Sequence, residues 1–204
     1  MNLVVIDYDA GNLRSVETAL KYLDVSYAVS SDPEAVANAD KILVPGVGEA
    51  KAAMETLRAR GLDSAVRDFS RTGKPMMGIC IGAQIVLQES EERATQCLGL
   101  IPGVARKFPD APGLKVPHMG WNTVTFDPAS AGAWLFDGIP QESSFYFVHS
   151  YYPDATHPEH VLARCAYGVD FAAALQRDNI VATQFHPEKS GELGLRVLRN
   201  FLKH

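Results

Sequence analysis

The chain has 204 residues, 47% of them hydrophobic and 21% charged, which suits one globular unit with a continuous core and requires neither disulfides nor a structural metal. Nineteen basic and twenty-four acidic residues leave a net charge of −5; neither sign gathers into a block, which argues against nucleic acid and membrane surfaces as partners. No apolar run approaches the ~20 residues of a spanning helix. The N-terminus leads directly into an apolar strand pattern rather than a secretory leader, and the three cysteines, Cys80, Cys97 and Cys165, lack metal-ligand or redox-pair spacing, so a cytoplasmic protein with free thiols is expected.

The first half alternates apolar runs with helical patterns, the α/β signature. A strand is predicted at Leu3–Asp7, a helix from about Asn12 to Leu23, and a short strand at Ser26–Val29. Asp32-Pro33 reads as an N-cap with proline at the first helical position. A strand at Lys41–Val44, helices near Ala50–Arg60 and Ser64–Ser70, and an apolar run at Met76–Ile79 follow, the last breaking at Cys80-Ile81-Gly82 into a helical pattern over Ala83–Glu89.

Beyond Leu98 the texture changes. Val104–Phe108, Asn122–Phe126, Phe145–His149, Val161–Cys165, Ala172–Gln176 and Val181–Phe185 read as strands, and Glu192–Leu202 as a closing helix. The pattern implies a central, mostly parallel sheet flanked by helices, with strands of the second half added to it or flanking it. Repeats, low-complexity tracts and linkers are absent, so residues 1–204 are expected to form one domain.

The sharpest local feature is Gly78-Ile79-Cys80-Ile81-Gly82. Small residues two positions either side of a cysteine, at a strand-to-helix junction, have the form of a nucleophile elbow. A cysteine there sits over a helix N-terminus, whose dipole favours the thiolate. An ordinary buried cysteine beside a glycine-rich turn would read the same way in isolation. A thiolate needs an oriented base. His186 follows the apolar run Ile180–Phe185, at the carboxyl end of a strand, and Glu188 stands two residues on across Pro187. His157, His160 and His204 lie in polar loops or at the terminus. An acyl transfer also needs oxyanion donors, and Pro45-Gly46-Val47-Gly48, ending another strand, supplies glycines that let N–H groups turn inward, as an ordinary strand-to-helix turn also would.

Together these segments resemble the class I glutamine amidotransferases over nearly the whole chain. Asn12-Leu13-Arg14-Ser15-Val16, Pro117-His118-Met119-Gly120-Trp121-Asn122, His149-Ser150-Tyr151 and Gln184-Phe185-His186-Pro187-Glu188-Lys189-Ser190 are similar, within that family, to glutaminase subunits that serve a separate (β/α)8-barrel cyclase chain. The resemblance implies a flavodoxin-like class I amidotransferase fold, glutamine as substrate, a heterodimer with the cyclase, and no cofactor or metal. It implies Cys80 as nucleophile, His186 as general base and acid, and Glu188 as the residue that orients the imidazole. Gly46, Val47 and Gly48 would form the oxyanion loop, and Gln84, Ser150 and Tyr151 would hold the amino and carboxylate ends of glutamine. Asn12, Arg14 and Lys189 would couple the site to the partner surface. One departure is Ala50, where the family commonly carries phenylalanine. Amidotransferase subunits of other pathways, such as anthranilate or aminodeoxychorismate synthase, would share Cys80, His186 and Glu188, and a silent regulatory relative would share the fold.

Overall fold

The computed structural model describes residues 1–9 and 13–204. The chain begins with strand β1 (Leu3–Ile6), helix α1 (Leu13–Tyr22), β2 (Tyr27–Ser30), α2 (Pro33–Ala37), β3 (Lys41–Gly46), α3 (Ala50–Ala59), α4 (Leu62–Ser70), β4 (Met76–Cys80) and α5 (Ile81–Ile85). There follow β5 (Glu89–Ser90), β6 (Thr95–Gln96), β7 (Gly103–Lys107), β8 (His118–Phe126), β9 (Ser143–His149), β10 (Tyr151–Ala155), β11 (Val161–Tyr167), β12 (Val169–Arg177), β13 (Ile180–Thr183) and α6 (Gly191–Lys203). Asp32 caps α2 as the sequence suggests, its side chain accepting from the Glu34 N–H at 2.9 Å.

Among the described residues, nine strands form the main sheet in the order β2-β1-β3-β4-β13-β12-β11-β8-β9. The pairings from β2 through β13 are parallel; those from β13 to β9 are antiparallel. The second half therefore extends the parallel core, as expected. A smaller sheet, β10-β7-β5-β6, packs against it, with Tyr152 of β10 5.7 Å from Phe171 of β12 between ring centroids.

Side chains of the parallel strands alternate between two apolar clusters. Val4, Ile6, Ile42, Val44 and Met76 face α2 to α5, whereas Leu3, Val5, Leu43, Met77 and Ile79 face α1 and α6. The covering helices are matched to this surface. Buried residues fall at Val16, Ala19 and Leu20 in α1 and at Gly194, Val197, Leu198 and Phe201 in α6, one stripe of helical period in each.

The structure departs from the sequence reading after the elbow. Helix α5 stops at Ile85 rather than continuing to Glu89. The reason is competition for its carbonyls: Ile85 O accepts from Leu98 N, and Val86 O from both Leu100 N and Ile101 N, so the returning chain takes the groups a longer helix would use. Glu89 and Ser90 instead join the small sheet.

Candidate active site

Three parallel strands bring their carboxyl ends together. In the ladder Gly46 stands opposite Cys80, and Thr183 opposite Ile79, so the Gly46–Gly48 loop, the cysteine and the His-Pro-Glu turn all emerge at one edge, where α/β sheets present their sites.

Cys80 adopts φ 55° and ψ −102°, a backbone setting rare for a residue with a Cβ. The elbow is held by its glycines. A Cβ on Gly82 would lie 2.0 Å from the Val44 carbonyl oxygen, and one on Gly78 would lie 2.7 Å from the Gly82 oxygen. The turn is thus too tight for any other residue at either position. Cys97 and Cys165 are also buried, but burial pushes both thiols up to about 12, which keeps them protonated and inert.

His186 is fully buried. Glu188 Oε1 accepts from its Nδ1 at 2.7 Å, while Nε2 makes no close hydrogen bond among the described residues and has Cys80 as its electrostatic neighbour. Burial alone would lower the ring's hold on a proton, but the hydrogen bond and charge of Cys80, and then those of Glu188, outweigh it and push His186 up to about 10. An imidazolium beside a sulfur is the pairing that a thiolate nucleophile requires. The turn carrying His186 is clamped from outside: Ser190 Oγ donates to His186 O at 2.6 Å and accepts from Tyr146 N at 3.0 Å, and His186 N donates to Tyr146 O at 2.9 Å.

A cavity of about 240 Å³ opens over Cys80, bounded by Val47, Gly48, Gln84, Glu92, His149, Ser150 and Tyr151, among others. Gln84 donates both Nε2 hydrogens, to Tyr151 O at 2.9 Å and to Gln184 Oε1 at 3.0 Å. Its Oε1 is buried and accepts nothing from the described residues, which suits it to receive an ammonium group. Gln184 in turn donates to Cys80 Sγ at 3.7 Å. Gly48 has φ +101° and open space around its α-carbon. Glu92 accepts from the Ala50 N–H at 2.6 Å, and burial raises its carboxyl group above the usual range.

A family model described as glutamine amidotransferase class-I matches residues 4–204. The chain belongs to this family. Among its relatives, an imidazole glycerol phosphate synthase subunit HisH of Herpetosiphon aurantiacus is 46% identical, covering 98% of this chain and 93% of that one. The subunit of the same name from Methanosarcina barkeri is 45% identical, covering 98% and 97%. Among solved structures, a glutamine amidotransferase superposes with a TM-score of 0.72 at 23% identity, covering 98% of this chain and 97% of that one. PurLQS from Thermotoga maritima superposes with a TM-score of 0.71 at 20% identity, covering 99% and 97%. These two likenesses bear on the amidotransferase fold alone.

Most of the residues singled out in the sequence meet in this amidotransferase cavity. Cys80, Gln84, Val47, Gly48, Ser150 and Tyr151 line it, with His186 and Glu188 behind the sulfur and Gly46 at the end of β3. Ala50 is buried at the start of α3, so the smaller residue is accommodated. Arg14 and Lys189 are exposed, Arg14 on α1, which packs against the Pro187–Lys189 turn, and Lys189 in that turn. Asn12 lies outside the described residues. Gln184, Ser190, Glu92 and His149 were not singled out as functional. Gln184 and Ser190, flanking the His-Pro-Glu turn, and His149, opening the His149-Ser150-Tyr151 segment, stood in quoted motifs and so carried a signal; Glu92, in a polar stretch, carried none.

Proposed function

We propose that this chain is a glutaminase subunit that hydrolyses glutamine to glutamate and ammonia and passes the ammonia to a (β/α)8-barrel cyclase, for synthesis of imidazole glycerol phosphate and AICAR in histidine biosynthesis. The observation that carries the hydrolysis is the convergence on one cavity of Cys80, an imidazole held by Glu188 at 2.7 Å, and a free amide acceptor on Gln84. The pathway and partner rest on the relatives named imidazole glycerol phosphate synthase subunit HisH, at 45–46% identity.

The Cys80 thiolate attacks the side-chain amide carbon of glutamine, and backbone N–H groups of the Gly46–Gly48 loop receive the oxyanion. His186, already protonated, gives its proton to the departing nitrogen, and ammonia leaves. The neutral ring then takes a proton from water as it attacks the thioester, which releases glutamate and restores Cys80. Gln84 Oε1 receives the ammonium of glutamine, and the Ser150-Tyr151 segment its carboxylate end. Free ammonia in neutral water becomes ammonium, which is not a nucleophile, so the product is useful only when delivered directly to an acceptor site. Residues 1–204 act as one amidotransferase domain in this scheme, in the cytoplasm. Among the described residues no helix is long and apolar enough to cross a membrane.

The test is glutamate release from glutamine by the chain alone and with the barrel cyclase, in parent and Cys80→Ala forms. Cys80→Ala is expected to abolish glutamine-dependent synthesis and to leave synthesis from added ammonia intact. Unchanged glutamate release by Cys80→Ala would refute the assignment.

A further inference from the structure

We propose that His118 and His149 form a tautomer-locked relay that positions the glutamine-holding edge of the cavity, with His118 acting from a site that does not itself line it. The inference rests on the reading of Gln84 and Tyr151 as glutamine-holding groups.

The geometry admits one assignment of protons. Tyr151 O, 2.8 Å from His149 Nδ1, can only accept, so Nδ1 of His149 carries hydrogen. Burial lowers His149 to about 3 and His118 to about 4, so both rings are neutral at physiological pH. His149 Nε2 is therefore bare and accepts from His118 Nδ1–H at 3.0 Å. His118 Nε2 is bare in turn and receives Asn122 Nδ2–H at 3.4 Å. Asn122 is itself fixed, since its Nδ2 also donates to Ala166 O at 3.1 Å and its Oδ1 accepts from Thr123 N at 2.8 Å. Every donor in the chain meets one acceptor, and the reverse assignment would set two lone pairs against each other at Tyr151 O.

The far end of the relay reaches the nucleophile. Tyr151 O accepts from Gln84 Nε2 as well as from His149, and Gln84 passes its second hydrogen to Gln184, which donates to Cys80 Sγ. The Gln84 amide thus has one orientation, Oε1 toward substrate, because Tyr151 O is held where Nε2 can reach it. His118 is fixed in its own plane by stacking between Phe147, at 4.8 Å and 23°, and Tyr167, at 3.9 Å and 19°. Its role is therefore separable from packing. A phenylalanine preserves the stack and removes the hydrogen bonds, whereas an asparagine offers an N–H near the position of Nδ1.

The experiment has two arms. Long-range 15N–1H spectra of the parent between pH 6 and 8, without substrate, are expected to show both rings neutral with hydrogen on Nδ1 alone. An Nε2–H tautomer of His149, or titration of either ring in that range, would overturn the relay whatever the function. The second arm measures glutamine Kd on a Cys80→Ala background. His118→Phe is expected to weaken binding roughly three- to tenfold, the worth of one neutral hydrogen bond, and to leave hydrogen on His149 Nδ1, since Tyr151 O still only accepts. His118→Asn should recover most of the affinity. Glutamine affinity unchanged in His118→Phe would overturn the relay alone. No glutamine binding to Cys80→Ala itself would overturn the functional reading and this one with it.

Discussion

Glu188 Oε1 stands 2.7 Å from His186 Nδ1, with neither side chain reaching solvent. A carboxylate in that place can only accept, so it forces hydrogen onto Nδ1 and turns Nε2 to the sulfur. His186→Asn removes the proton carrier and is expected to abolish thioester formation as fully as Cys80→Ala. Glu188→Gln keeps the shape of the contact but presents a mixed donor and acceptor to Nδ1. Its glutaminase rate should fall about 10³–10⁴-fold and yet stay above that of His186→Asn, because residues acting as one unit lose function non-additively. Single-turnover glutamate release on the two variants decides it; equal, complete loss would make the charge of Glu188 indispensable.

The elbow and its partners were legible because each depends on local backbone chemistry. Gly78 and Gly82 announce a turn that tolerates no Cβ, and Pro187 separates His186 from Glu188 beyond a buried strand. What escaped was set by distant partners. Strand β10, Tyr151–Ala155, carries Pro153 and lacks clean alternation; it exists because β7 offers an antiparallel edge. The early end of α5 likewise depends on the return of residues 98–101. His118 and His149 sit 31 positions apart, and only the pairing of β8 with β9, which sets His118 opposite His149, brings their rings together.

That pair is also expected to make stability depend on acid pH. Both folded-state values lie below the ordinary histidine value of 6.5, His118 at about 4 and His149 at about 3, with burial the leading cause in each. The unfolded chain therefore binds more protons than the native one between those limits, and stability falls as pH drops from 6.5 toward 3. Above 6.5 the two rings contribute no pH dependence. Urea midpoints measured at pH 7, 5.5 and 4.5 should decline more steeply in the parent than in a His118→Asn, His149→Asn double variant. Parallel declines would mean that other groups control acid unfolding.

Tyr8 is 2% exposed, and among the described residues its hydroxyl oxygen has no hydrogen-bond partner. Burial, with the charge of Cys80 as a lesser cause, raises its pKa far above the ordinary tyrosine value, so the group remains a neutral hydroxyl. An unpaired buried hydroxyl carries a desolvation cost of about 1–3 kcal/mol that an apolar ring of the same shape avoids. Tyr8→Phe is thus expected to leave the thermal midpoint unchanged or raise it by a few degrees. A fall of more than about 1 kcal/mol in unfolding free energy would show that the hydroxyl does find a partner in solution.

Gly48 separates backbone conformation from packing in the loop proposed to receive the oxyanion. Its φ of +101° lies where a side chain is strained, but a Cβ would meet nothing within 4 Å. Gly48→Ala therefore introduces no clash, and the cost of a positive φ, about 1–2 kcal/mol, acts only on the local peptide orientation. The loop is expected to relax by turning its N–H groups away from the position above Cys80. Losing one well-aimed oxyanion donor lowers the rate by on the order of 10²–10³. The expected signature is a glutaminase rate lowered by that factor, with the thermal midpoint within a few degrees of the parent and glutamine affinity little altered, since the donors act on charge that develops only during attack. Thermal unfolding, glutamine titration of the variant on the Cys80→Ala background, and single-turnover hydrolysis separate these quantities. A parent-like rate would remove Gly46–Gly48 as the source of oxyanion stabilisation while leaving Cys80 and His186 in place.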